Sequence, residues 1–501
     1  MKRFLWLGFV LSVYLICSGC GDTFRPIIIP NPPIFPNPAG AHTVMSINNN
    51  GGVVPGTAMV IDVSGDSVVS IANVGLAPVH SVQQSASEIL VANHSAIGTV
   101  ADSITGLNFS GTTISSTTTI SLPPNSAPSY VAVAPSATTA YVTLPGLVPD
   151  PSFPGNNAVG VVNTLSSSLT TTVEVGNQPD AIGVTPDNTK FYVANYGDST
   201  LDGFNTADLS PRTINGSFNA PVWVIARNDS QRLYVLNGTT GSPQQDGVVS
   251  TIDTTSTAGP DPVIDASVSV PGATFMLYDG NLNRLYIPWF NQSTMLGQLT
   301  ILDVSQSVPA VLAGGPISAC APMQAISCIP TVPPSTRAGT DPCLSTTEAT
   351  PLMVVAVTSL PNGTRAYVGA YYEDSNNNIC PQVTAIDAAS ITVTDSTPIP
   401  GFPDATIEFL PGGGPDPYYV AACVAPTPPA PYHATFRFMM ASGGDSSRAY
   451  LASCDAGNVN IVDTSSDTYI LNQPAPIGTR APISPGQLNP PQNPVFLIGG
   501  P

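Results

Sequence analysis

Short apolar stretches separated by turn residues follow one another along most of the chain. In one copy, Pro179 opens an almost unbroken apolar segment, Ala181-Ile-Gly-Val184, and Pro186-Asp-Asn-Thr189 follows with turn chemistry. Lys190 to Asn195 reads as a second strand, Leu201 to Phe204 as a third and Arg212 to Ile214 as a fourth. Four short strands with turn signals between them predict an antiparallel meander.

Looser copies of this module recur. Second strands centre on Leu90, Tyr141, Tyr192, Tyr234, Tyr286, Tyr367 and Tyr450. First strands are expected at Val79–Val82, Ser129–Val133, Ala181–Val184, Val222–Ile225, Ala273–Leu277, Leu352–Ala356 and Thr435–Met439. Third strands end in an apolar-Asp step at Asp62, Asp253, Asp303, Asp387 and Asp463. These aspartates recur because turns need backbone caps, not because several modules share one chemistry. A unit of this size cannot bury its own apolar face, so neighbouring copies must stack.

The two ends of the chain complete the pattern. Thr43–Ile47, Ala58–Val63 and Ser67–Val74 look like strands two to four of a module without its first strand, and Asn493–Ile498 looks like a first strand without the rest. Joining them makes one more module and removes the free sheet edges that an open array would expose. The expected fold is all-β: a β-propeller of four-stranded blades closed by pairing of the N- and C-terminal strands. Eight blades are favoured, with seven as the count if one looser copy is an insertion. The wide spacings from Tyr286 to Tyr367 and from Tyr367 to Tyr450 place inserts near 305–350 and 398–432.

The phrase Pro186-Asp-Asn-Thr-Lys-Phe-Tyr-Val-Ala-Asn195, with the preceding Val175-Gly176 step and the apolar-Asp third strands, resembles the YVTN β-propeller repeat family. The resemblance covers roughly residues 41–501 and is strongest over 175–255. It implies an exported bacterial protein or an archaeal surface protein. It implies no single activity, because blades of this design support binding proteins, lactonases and redox enzymes.

Composition agrees with many strands and few helices. Charged residues are only 9% of the chain, and exposed helix faces are usually rich in Glu, Lys and Arg. Thirteen basic residues against thirty-two acids leave a net charge of −19. Nucleic acid is therefore not an expected partner, since binding it requires a basic footprint. After Lys2 the only lysine is Lys190, expected to lie in water at a turn and outside any phosphate-loop motif.

The N-terminus reads as an address. Met1-Lys-Arg3, the apolar Phe4–Ile16 and Cys17-Ser-Gly-Cys20 form a secretory signal over 1–19, too short for a spanning helix. The ending resembles a bacterial lipobox, which implies lipidation of Cys20. The departure is Cys17, where an aliphatic residue is usual, so an ordinary signal peptide is the alternative. Residues 20–40 then form a proline-rich tether, and 41–501 a single propeller domain. The expected location is an outer-membrane or periplasm-facing lipoprotein, or else a soluble periplasmic or secreted protein. Membrane contact is expected through the lipid anchor only.

Cys320, Cys328, Cys343, Cys380, Cys423 and Cys454 remain as an even set in an oxidising compartment, which favours disulfides over zinc. Local closure would pair Cys320 with Cys328, Cys343 with Cys380 and Cys423 with Cys454. Asp374-Ser-Asn-Asn-Asn378 spaces oxygen ligands in a calcium-like way. It lacks the glycine and distal glutamate of a full loop and reads as a solvated turn.

No nucleophile elbow or His-Glu-x-x-His phrase is present, and the chain has four histidines. His80, Tyr130, Ala181 and Trp223 occupy aligned first-strand positions, either lining one central opening or packing between blades. His433 and Arg437 are further channel candidates. No catalytic residue, metal site or cofactor is expected. The reading is a monomeric, non-catalytic binding or scaffold propeller of the cell envelope, with an envelope protein or glycan as partner. The alternative is a lactonase-like hydrolase with a channel metal site.

Overall fold

The computed structural model describes residues 42–49, 55–85, 87–94, 102–134, 137–152, 155–238, 247–291, 296–313, 341–345, 352–376, 378–403, 438–470, 477–478 and 493–499. These residues form eight sheets, each built on a four-stranded antiparallel meander; the expected strand Arg212–Ile214 divides, with Pro211–Arg212 on Thr200–Asn205 and Ile214–Asn215 added in parallel to Asp261–Ser269 of the next sheet. The fold is an eight-bladed propeller.

Blade one is composite. Ser67–Leu76 lies outermost, followed inward by Pro55–Asp62, Thr43–Asn49 and the C-terminal strand Asn493–Gly499. Ile47 pairs with Ala58 on one side and with Phe496 on the other, so both ends of the domain share one sheet. The expected closure is observed, and the blade count is eight.

The innermost strands of blades two to eight are Pro78–Ser85, Val131–Val133, Pro179–Val184, Pro221–Ala226, Leu277–Asp279, Met353–Ser359 and Phe438–Ser442. Phe438–Ser442 and Pro78–Ser85 both pack on Asn493–Gly499, which closes the circle. Several inner strands start at proline (Pro78, Pro179, Pro221). This strand has a sheet edge facing the channel, where a residue without an N–H costs no ladder bond and blunts the edge.

Second strands carry the core. Tyr141, Tyr192, Tyr234, Tyr286, Tyr367 and Tyr450 are all essentially buried. Outer strands alternate toward water and are rich in Thr and Ser, as in Thr113–Ser121. Close approach between blades four and five demands a small residue: a Cβ at Gly183 would lie 2.6 Å from Val224.

The third-strand aspartates cap turns as the sequence indicated. Asp62 Oδ1 accepts from Ser64 N, Asp253 Oδ1 from Thr255 N, Asp387 Oδ1 from Ala389 N and Asp463 Oδ1 from Ser465 N, all at 2.8–3.0 Å.

Lys190 corrects the sequence expectation. It is not in water but 5% exposed. Its Nζ donates to Thr254 O (2.5 Å), Ser256 O (2.6 Å) and Asp261 Oδ1 (3.2 Å). The turn ends one residue earlier, and the side chain points into the seam with blade five. Tyr192 OH and Arg212 Nε both donate to Asp261 Oδ2, at 2.9 and 2.6 Å.

Related latches recur at other seams. Arg365 and Tyr367 of blade seven hold Asp467 of blade eight. Arg448 and Tyr450 of blade eight hold Asp66 of blade one, each at 3.1 Å. Asp66 and Asp467 have φ of 46° and 57°, a left-handed turn conformation that Asp tolerates better than most residues.

Cys343 and Cys380 form a disulfide in blade seven, as expected. Cys454 is also disulfide-bonded. Cys20, Cys320, Cys328 and Cys423 lie outside the described residues, as do His433 and Arg437.

Candidate functional site

The strand register defines one equivalent inner-strand position in each blade. The residue paired with the second-strand tyrosine is Ala132, Gly183, Ile225, Leu277, Thr358 or Ala441 in blades three to eight. Two residues upstream of these stand Tyr130, Ala181, Trp223, Phe275, Ala356 and Met439. The same construction gives His80 in blade two and Phe496 in blade one.

Bulges re-aim this position. The register skips one residue between Pro78 and His80, between Pro179 and Ala181, and between Pro221 and Trp223. The extra residue turns the next side chain relative to a regular strand.

The result is a partial collar of rings. His80 stacks on Tyr130 with centroids 3.9 Å apart and meets Phe496 at 4.6 Å. Tyr130 meets the edge of Trp223 at 5.5 Å, and Trp223 meets Phe275 at 5.0 Å. Blade four contributes only Ala181, and that small side chain lets Tyr130 reach across to Trp223. Edge-to-face contacts of this kind add about 0.5–1.5 kcal/mol each beyond area burial.

The collar walls a chamber of about 350 Å³, to which Phe496, His80, Tyr130, Trp223, Phe275 and Met439 all contribute. Below it lies an aliphatic layer that includes Val82, Ile225, Leu277 and Ile498. A smaller cavity of about 170 Å³, lined from blades two to six, shares His80, Tyr130, Trp223 and Tyr278. Farther along the inner strands the chamber wall becomes polar, with Gln83, Asp279, Asn281, Ser359 and Ser442.

Electrostatics divide the wall. His80 is 7% exposed, and its Nδ1 accepts the Val131 N–H at 3.4 Å, so the ring proton sits on Nε2. Burial pulls its pKa down to about 3, against a small opposing effect of that hydrogen bond, and the ring is neutral. Burial raises the Tyr130 hydroxyl, helped by the neighbouring Asp180.

Asp180 sits at the blade-four bulge, and burial holds its carboxyl well above the usual carboxylate range. Asp279 is also raised by burial, opposed by the Leu282 N–H, the Ser359 hydroxyl, the Asn281 N–H and the charge of Arg284, its cross-strand neighbour. Its Oδ1 accepts from Asn281 N at 2.9 Å and Leu282 N at 3.1 Å.

His80, Tyr130 and Trp223 are thus brought together as the sequence alignment placed them. They both stack on one another and line an opening. Phe275, Met439, Phe496 and Asp279 were missed. The signal was present: Tyr130 and Tyr141, Ala181 and Tyr192, Trp223 and Tyr234, Phe275 and Tyr286, and Met439 and Tyr450 share a spacing of eleven residues.

The other described histidines lie elsewhere. His42 pairs with Asp445 and His94 with Asp102, each at 3.4 Å. Among the described residues, the one clustering of metal-ligating types is Cys343, Asp374 and Cys380. Its two sulfurs are joined to each other and are not available as thiolates. Asp374 Oδ1 accepts from Asn376 N and Asn378 N, which makes this loop a self-satisfied turn.

No protein-family model matches the chain, and no curated protein sequence matches it. Solved structures do match in fold. Dihydro-heme d1 dehydrogenase NirN, in complex with DHE, aligns with a TM-score of 0.50 at 11% identity, over 88% of this chain and 74% of that one. The periplasmic gluconolactonase PpgL of Pseudomonas aeruginosa aligns at 0.45 and 13% identity, over 75% and 97%. A functionally unknown protein from Desulfotomaculum acetoxidans aligns at 0.46 and 9% identity, over 87% and 97%. The chain is a β-propeller by structure, and its likeness to these proteins is at low identity. That likeness carries fold and not activity.

Proposed function

We propose that this protein is a non-catalytic binding propeller of the bacterial cell envelope, exported and tethered through a lipid on Cys20. The observation that carries the binding reading is the chamber. A cavity of about 350 Å³ walled by six large side chains, with a few polar groups at one end, is built to enclose part of a ligand. His80, the described histidine that faces it, is neutral, stacked and already accepting a backbone hydrogen bond. A hydrolytic metal would need several ligands converging on one point, whereas among the described residues Asp279 is the carboxylate that lines the wall. The extracytoplasmic part of the reading is supported by the Cys343–Cys380 disulfide, which suits an oxidising compartment. The lipobox-like ending at Cys20 supports the tether.

The test is native mass spectrometry of the protein purified from its own envelope, alongside assays with simple lactones plus added calcium or zinc. A retained small molecule that is lost in Trp223→Ala, with no lactone turnover, is the expected result. Metal-dependent turnover abolished by Asp279→Asn would overturn the binding reading in favour of a hydrolase. Cys20→Ser should move the protein from the membrane to the soluble fraction, and retention there would overturn the tether.

A further inference from the structure

We propose that the chamber selects an organic cation, an amine or ammonium group carried on an apolar body, with the body against the aromatic collar and the charged head toward Asp279. The proposal rests on the binding reading above and names the ligand class.

Three observations carry it. First, the wall is ordered along the inner strands, with rings at one level, aliphatic side chains at the next and polar groups beyond. Phe275 and Asp279 are four residues apart on one chain segment, no more than about 14 Å when fully extended. A ligand spanning that distance must be apolar at one end and polar at the other.

Second, the charges on the wall are one-sided. Among the described residues, four ionisable ones line the chamber: His80, Tyr130, Tyr278 and Asp279. His80 is neutral, and burial raises both tyrosine hydroxyls away from ionisation. Among these described lining residues Asp279 is therefore the source of charge, and that charge is negative, with Arg284 opposite it on the neighbouring strand. Its carboxylate is fixed by the Asn281 and Leu282 N–H groups on Oδ1, so it is oriented before a ligand arrives. A second carboxylate entering here would meet repulsion, and a cation would offset the cost of burying Asp279.

Third, the collar offers the apolar body a ring-lined seat, since Phe496, His80, Tyr130, Trp223 and Phe275 all stand on the chamber wall. The net charge of −19 adds a long-range bias toward cationic ligands at low salt.

The test uses three probes with one apolar body and different heads: phenethylammonium, 2-phenylethanol and 3-phenylpropionate. Binding to the full chain is followed by calorimetry and by the fluorescence of Trp223 in a Trp6→Phe/Trp289→Phe background, where Trp223 is the only tryptophan. The cation should bind at least about tenfold more tightly than the anion, with the alcohol between them. Asp279→Asn keeps the Oδ1 acceptor for the turn, and it should erase the cation's advantage while leaving the alcohol's affinity within about twofold.

Equal binding of all three probes by the unaltered protein would overturn the charge selection and leave the binding reading standing. Tighter binding of the anion would also overturn it. Failure of every probe to bind at millimolar concentration would sink the proposal, and the mass-spectrometric experiment separately judges the binding reading.

Discussion

The seams between blades and the central chamber use similar residue types to opposite ends. At the seam of blades four and five, Tyr192, Lys190 and Arg212 converge on Asp261, which is fully buried. Every charge there has a partner, and the contacts leave no room. In the chamber, Trp223 and His80 are also buried and Tyr130 is half-buried. Their partners are other rings, and open space remains beside them. Polar complementarity that is consumed internally reads as architecture. Apolar surface left facing a cavity reads as a place for something else.

The sharpest way to break this comparison is at Asp261. Replacing it with Ala strands Lys190 and Arg212 as buried cations, side chains 7% and 3% exposed, without their counter-charge. The expected loss is about 3–5 kcal/mol, measured by denaturant unfolding. Probe affinity of the folded fraction should stay unchanged. A seam variant that altered affinity without altering stability would dissolve the distinction.

A smaller effect is expected at the closing seam. Asp66→Ala removes the acceptor of Tyr450 OH and one of the two carboxylates of Arg448, while Asp463 keeps the other at 2.9 Å. The expected cost is about 2–3 kcal/mol. A change below roughly 0.5 kcal/mol would show that this latch is solvent-screened and that strand pairing alone closes the ring.

The chamber should reveal itself through acid. His80 has a folded pKa of about 3 against an ordinary value near 6.5. Between those values the unfolded chain binds the extra proton, so stability rises with pH across that window. The contribution is present above about 6.5 and is lost as pH falls toward 3, at no more than about 1.4 kcal/mol per pH unit. His80→Phe keeps a stacking ring and should flatten this slope. An unchanged slope would mean that other buried groups set the acid limb.

Much of the fold was legible because strands announce themselves twice, by apolar runs and by the turn residues between them. The second-strand tyrosines located six blades. The orphan strand at Asn493–Ile498 gave the closure, because an unpaired first strand has only one place to go. Lys190 was misread for a physical reason. Turn chemistry at Pro186-Asp-Asn-Thr189 says where the chain reverses, not what the next side chain reaches, and Asp261 is supplied by a strand seventy-one residues away.

The collar was half legible. Proline marks the aligned position at His80, Tyr130 and Trp223, but no proline stands two residues before Phe275 or Met439. Asp279 was hidden by its neighbours. Its strand, Leu277–Asp279, is three residues long, and nothing local tells a turn-capping aspartate from one that also faces a cavity.

The shared sheet of blade one has a consequence for biosynthesis. Thr43–Asn49 emerges early but keeps an unfilled hydrogen-bonding edge until Asn493–Gly499 has been made. A product lacking Asn493–Gly499 would retain seven complete fans and an exposed edge on Thr43–Asn49. Synthesis through Asn493–Gly499 is thereby written into the shape of the molecule, and chains that stop short of it keep an open sheet edge.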